Sequence, residues 1–105
     1  MSYDVSINRV EKIHDSNYTY NVSEMFTKAF RGTKGLWIIE DETPYNARIF
    51  LLEAIENMEN NKEEYVKLNP ENGWGNYEGA LKFLRNIFRD LDKLEDDENI
   101  EISIS

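Results

Sequence analysis

The apolar residues of this chain change period twice along its length, and no other feature constrains the fold as tightly. Near the start, Tyr3, Val5 and Ile7 alternate with Asp4 and Ser6, the pattern of a strand buried on one side. A polar cluster, His14-Asp15-Ser16-Asn17, reads as a turn. Tyr18, Tyr20 and Val22 then alternate with Thr19 and Asn21, so the two stretches predict a hairpin. Near the other end, Ile100, Ile102 and Ile104 alternate with Glu101 and Ser103. Between these stretches the apolar period is that of a helix, about 3.6 residues.

Four helical segments follow from that period and from end signals. Ser23 is a candidate N-cap for a short helix over 24–31, with Gly32 at the left-handed closing position. Thr43-Pro44 is a helix start, and Ala47, Phe50, Leu51, Ala54, Ile55 and Met58 keep the period to about Asn60. Lys62 to Leu68 reads as a further short helix that Pro70 ends. Asn76 caps the longest helix, Tyr77 to about Glu95, whose inner face is Tyr77, Ala80, Leu81, Leu84, Ile87, Phe88 and Leu91. The run Leu36-Trp37-Ile38-Ile39 has no decisive period. The expected fold is α+β, a small single domain over 1–105. Its N-terminal β-hairpin and C-terminal strand share one antiparallel sheet, covered by two main helices and one or two short ones.

Composition removes several function classes. The 105 residues include no cysteine and one histidine, His14. Thiolate catalysis, disulfides and Cys-ligated metals are excluded, and neither a metal site nor a cofactor is expected. The N-terminus has no basic start and no apolar leader, so a cytoplasmic protein without membrane contact is expected. The net charge is −9 and unevenly spread: residues 1–35 carry +1, the remainder −10. Direct nucleic-acid binding needs a basic footprint, which is missing.

Three features could carry function. The loop Asn69-Pro70-Glu71-Asn72-Gly73-Trp74-Gly75-Asn76-Tyr77-Glu78-Gly79 gathers three amides, a tryptophan between glycines and a tyrosine just before a helix N-terminus. Asn69, Asn72, Gly73, Trp74, Gly75, Asn76, Tyr77 and Glu78 are therefore candidate ligand- or partner-binding residues around a polar cradle. The alternative is that Trp74 plugs the core while the asparagines cap turns. The loop matches neither a P-loop nor a dinucleotide fingerprint. A second candidate is the strand-to-helix junction at Asn21 and Ser23. Third, Glu53, Glu56 and Glu59 fall three apart on one helix and form a candidate acidic contact face. His14 beside Asp15, and the acidic turn Glu95-Asp96-Asp97-Glu98, read as solvated; the turn lacks the calcium-loop order. No catalytic residue is expected.

The segments Tyr20-Asn-Val-Ser-Glu-Met-Phe26 and Asn69–Gly79, with the Ile-rich end, resemble a family of small phage, prophage and actinobacterial proteins of uncharacterised function. The resemblance implies that the two segments share one site or one core, and a mobile-element origin. It supplies no activity. The resulting expectation is a non-enzymatic acidic binding protein, an inhibitor of a host defence or nucleic-acid-binding protein with a basic surface, acting in the host cytosol. The alternative is a protein that binds or sequesters a small nucleotide or metabolite through the 69–79 loop.

Overall fold

A computed structural model describes residues 2–9, 11–94 and 99–105. Strand β1 (Ser2–Asn8) lies in the middle of a three-stranded antiparallel sheet, between β2 (Lys12–Thr19) and β3 (Glu101–Ile104). Val5 faces Ser16 on one side and Ile104 on the other. Four α-helices are described: α1 (Ser23–Ala29), α2 (Pro44–Asn60), α3 (Lys62–Val66) and α4 (Tyr77–Asp92). The fold is α+β, with the two alternating ends of the sequence in one sheet.

The helices cover one face of that sheet. Tyr3, Val5 and Ile7 of β1 and Ile102 and Ile104 of β3 point toward them, and Leu51 and Met58 of α2 and Leu84, Ile87 and Leu91 of α4 fill the space between. Asp4 and Glu101 occupy the alternate, exposed positions. Each fully buried aliphatic or aromatic side chain contributes about 1.5–3 kcal/mol, so this layer supplies the main drive to fold. Among the described residues no helix is long and apolar enough to cross a membrane.

Two helix starts form as their sequences dictate. The Thr43 hydroxyl accepts the Asn46 N–H at 3.2 Å, with Pro44 at the first helical position. The Asn76 side-chain carbonyl accepts the Gly79 N–H at 2.7 Å.

Four local expectations are corrected. His14-Asp15-Ser16-Asn17 is not a turn but the middle of β2, and the chain reverses between Asn8 and Lys12 instead. Polar residues can occupy the inner face of that strand because they bond to each other and to α4. Tyr20-Asn21-Val22 leaves the sheet: the Thr19 hydroxyl accepts the Asn21 N–H and a 3-10 turn follows. Ser23 lies inside α1 rather than capping it. Arg31, at φ 55°, takes the left-handed position expected of Gly32, whose N–H reaches back to the Thr27 carbonyl at 3.0 Å. The undecided run 36–39 belongs to a 3-10 helix, Gly35–Ile39. Helix α4 ends at Asp92, and the acidic turn at 95–98 lies outside the described residues.

Candidate functional site

The 69–79 loop is built by its own amides. The Asn72 side chain accepts the Trp74 N–H at 2.9 Å, Asn69 accepts the Tyr77 N–H at 2.8 Å, and Asn76 accepts the Gly79 N–H. Two first-turn N–H groups of α4 are thus occupied by the chain itself, which leaves the cradle little capacity for an anion. Tyr77 is buried and donates its hydroxyl to the Met58 carbonyl at 2.8 Å, locking the loop to the end of α2. Burial pushes its pKa up, with Glu59 adding to the effect, Arg85 opposing it and Glu78 again raising it. Trp74 does not plug the core: it is 69% exposed, and Glu78 also faces solvent.

The loop rests on the junction between β2 and α1. Gly75 has φ 96°, and a Cβ there would stand 2.5 Å from the Thr19 methyl and 3.1 Å from a Val22 methyl. The Asn76 N–H donates to the Tyr18 hydroxyl at 3.1 Å. The two segments singled out in the sequence therefore meet at Thr19, Val22 and Gly75, with Asn21 exposed beside that contact.

Helix α2 presents a face that sequence reasoning found only in part. Glu53, Glu56 and Glu59 are exposed along its second half. Tyr45, Ile49 and Leu52 are 53%, 46% and 45% exposed along its first half. Their spacing, i, i+4, i+7, sets them on one line, opposite the buried Ala47, Leu51, Ala54 and Met58. Phe88 and Asp92 of α4 complete a shallow groove of about 290 Å³ beside them. The sequence signal was available: α2 carries apolar residues on both faces, whereas the apolar residues of α4 keep to one stripe. The acidic residues are not all idle. Glu53 pairs with Arg31 at 3.6 Å, and Glu59 accepts a hydrogen bond from Arg85.

His14 is the third feature, and only the fold reveals its surroundings. It is 7% exposed, with Nδ1 at 2.6 Å from an Asp90 carboxylate oxygen and Nε2 at 2.6 Å from the Ser16 hydroxyl. Burial raises the Asp90 pKa, but the hydrogen bond and charge of His14, with Arg89 and Lys93, outweigh it and hold the carboxyl below its ordinary range. The order of groups is that of a nucleophile, a base and an orienting acid. Here it satisfies both nitrogens of a buried ring and ties β2 to α4. Among the described residues no cluster of three or more potential metal ligands occurs.

No family model, no curated protein and no solved structure matches the chain.

Proposed function

We propose that the domain is a non-enzymatic protein-binding module that docks through the outer face of α2. The observation that carries this reading is the division of that face: apolar at Tyr45, Ile49 and Leu52, then acidic at Glu53, Glu56 and Glu59. Three large apolar side chains in line on a solvent-facing helix signal an interface. The acidic continuation selects a partner whose apolar ridge borders a basic segment.

The existing pairs do not block this use. Arg31–Glu53 and Arg85–Glu59 are exposed on both partners, and such pairs are worth about 0–1 kcal/mol. A partner's lysine or arginine can replace them at little cost. Two copies of this chain, each at −9, repel one another, which favours a different, basic protein over self-association. Basic faces of that kind are the working surfaces of nucleic-acid-binding proteins. In its sharpest form the module inhibits such a protein by covering that face.

The test is capture from a host-cell lysate with three baits: wild type, Ile49→Lys/Leu52→Lys, and Glu53→Gln/Glu56→Gln/Glu59→Gln. The first variant is expected to lose the captured protein. The second is expected to weaken capture about tenfold and flatten its salt dependence. A captured protein retained equally by all three baits would place the interface elsewhere.

A further inference from the structure

We propose that a cleft beside α1, apart from the α2 face, binds a mononucleotide-like molecule: a planar heteroaromatic ring carrying a phosphate. The cleft measures about 460 Å³, within the range of small-ligand sites. It lies between the end of β2 and the 3-10 helix Gly35–Ile39, a segment to which the apolar period assigns no role.

Its floor is aromatic. Tyr3, Tyr20 and Trp37 pack together with ring centroids 5.1 Å, 5.1 Å and 6.0 Å apart. Those spacings leave no room for a group between the rings, so a ligand can only lie over them. Tyr20 is 39% exposed and Trp37 partly so. The rings are tilted 38°, 55° and 75° to one another, so a flat ligand ring stacks on one exposed face, Tyr20 or Trp37, with the stacking energy by which aromatic side chains bind bases.

Tyr3 adds a polar group to the cleft. The residue is 2% exposed and lines the cleft, and among the described residues its hydroxyl has no hydrogen-bond partner. The group retains contact with the cleft, since no fully enclosed side-chain polar atom lacks a partner. A ring nitrogen or exocyclic oxygen of the ligand would complete it.

The rim chooses the charge. Lys34 lines the cleft with no acidic partner among the described residues, and Ser23, Thr27 and Thr33 add hydroxyls beside it. An ammonium with several hydroxyls suits a phosphate. The single acidic rim residue, Glu40, already uses one carboxylate oxygen to accept the Ile104 N–H at 3.1 Å. The cleft draws its residues mainly from the part of the chain that carries +1.

The experiment uses the Trp74→Phe protein, which leaves Trp37 as the sole tryptophan. Fluorescence excited at the tryptophan edge is followed during titration with AMP, adenosine and inorganic phosphate. AMP is expected to quench saturably, with adenosine and phosphate each at least tenfold weaker. Lys34→Ala is expected to bring AMP down to the level of adenosine, and Tyr20→Ala to weaken AMP roughly tenfold. Circular dichroism checks that each variant is folded, and amide NMR shifts at Thr27 and Thr33 locate binding. Four outcomes overturn the proposal: no saturation up to about 10 mM AMP, equal binding of adenosine and AMP, phosphate binding as tightly as AMP, or shifts confined to the 69–79 loop.

Discussion

Replacing Gly79 by alanine sets two effects of opposite sign against each other. In the first turn of α4, alanine is favoured over glycine by about 1 kcal/mol on helix propensity. The fold opposes this. A Cβ at Gly79 would stand 2.1 Å from the Tyr18 hydroxyl and 2.8 Å from its ring carbon. Tyr18 cannot step aside freely, because its ring stacks on Phe83 with centroids 5.6 Å apart and its hydroxyl accepts the Asn76 N–H at 3.1 Å. Displacing it forfeits a hydrogen bond worth about 1 kcal/mol and aromatic packing worth about 0.5–1.5 kcal/mol. Residual overpacking adds about 1 kcal/mol or more. The net expectation is a destabilisation of about 1–3 kcal/mol, read as a lower urea midpoint at unchanged m. In a Tyr18→Ala background the obstacle is gone, and the same substitution should stabilise by up to about 1 kcal/mol. A Gly79→Ala protein more stable than wild type, or the same effect in both backgrounds, would refute the reasoning.

Removal of the Asn76 cap by alanine should cost about 1 kcal/mol in the same assay, since it leaves the Gly79 N–H without its 2.7 Å acceptor. Tyr77→Phe should cost about 1–2 kcal/mol, because the Met58 carbonyl loses a buried donor. The Asp90 carboxyl, held below its reference value of 3.8, contributes stability that is present above the unfolded value and lost as pH falls through the lower folded one. Acid unfolding of Asp90→Asn should therefore show a shallower loss over that window than wild type. If the Ser16–His14–Asp90 set is structural only, a fluorophosphonate probe leaves Ser16 unmodified by mass spectrometry; an adduct that disappears in His14→Ala would give the set a chemical role.

The fold was largely written in local patterns, and the departures have physical causes. The strands at 3–7 and 101–104 and the helices after Thr43 and Asn76 follow from period and caps, which act over a few residues. The placement of β2 does not. A cluster of His, Asp, Ser and Asn favours a turn locally, and it becomes a strand because Asp90, 76 positions away, satisfies its inward-facing histidine. No reading confined to neighbours can supply that partner. The candidate site divides in the same way. The asparagines of the 69–79 loop could be recognised as polar and clustered, but not that their carbonyls already serve Trp74, Tyr77 and Gly79. The acidic line on α2 was legible, and its apolar continuation was signalled by Tyr45, Ile49 and Leu52 lying off the Ala47–Met58 stripe, although only the packed helix shows them exposed. The cleft is not legible in the sequence, because Tyr3, Tyr20 and Trp37 are distant along the chain and the 3-10 segment is too short to show a period.

The position of β1 carries a consequence for biosynthesis. The central strand is synthesised before either of its neighbours, and one of them pairs Ile104, far along the chain, with Val5. Until residues 101–104 emerge, one edge of β1 offers unpaired N–H and C=O groups beside an apolar face, an invitation to wrong pairing. Closing that contact also carries the entropy of a loop nearly as long as the chain, which slows its formation. Nascent-chain protection and translation pace are therefore points at which production of this protein is open to disturbance.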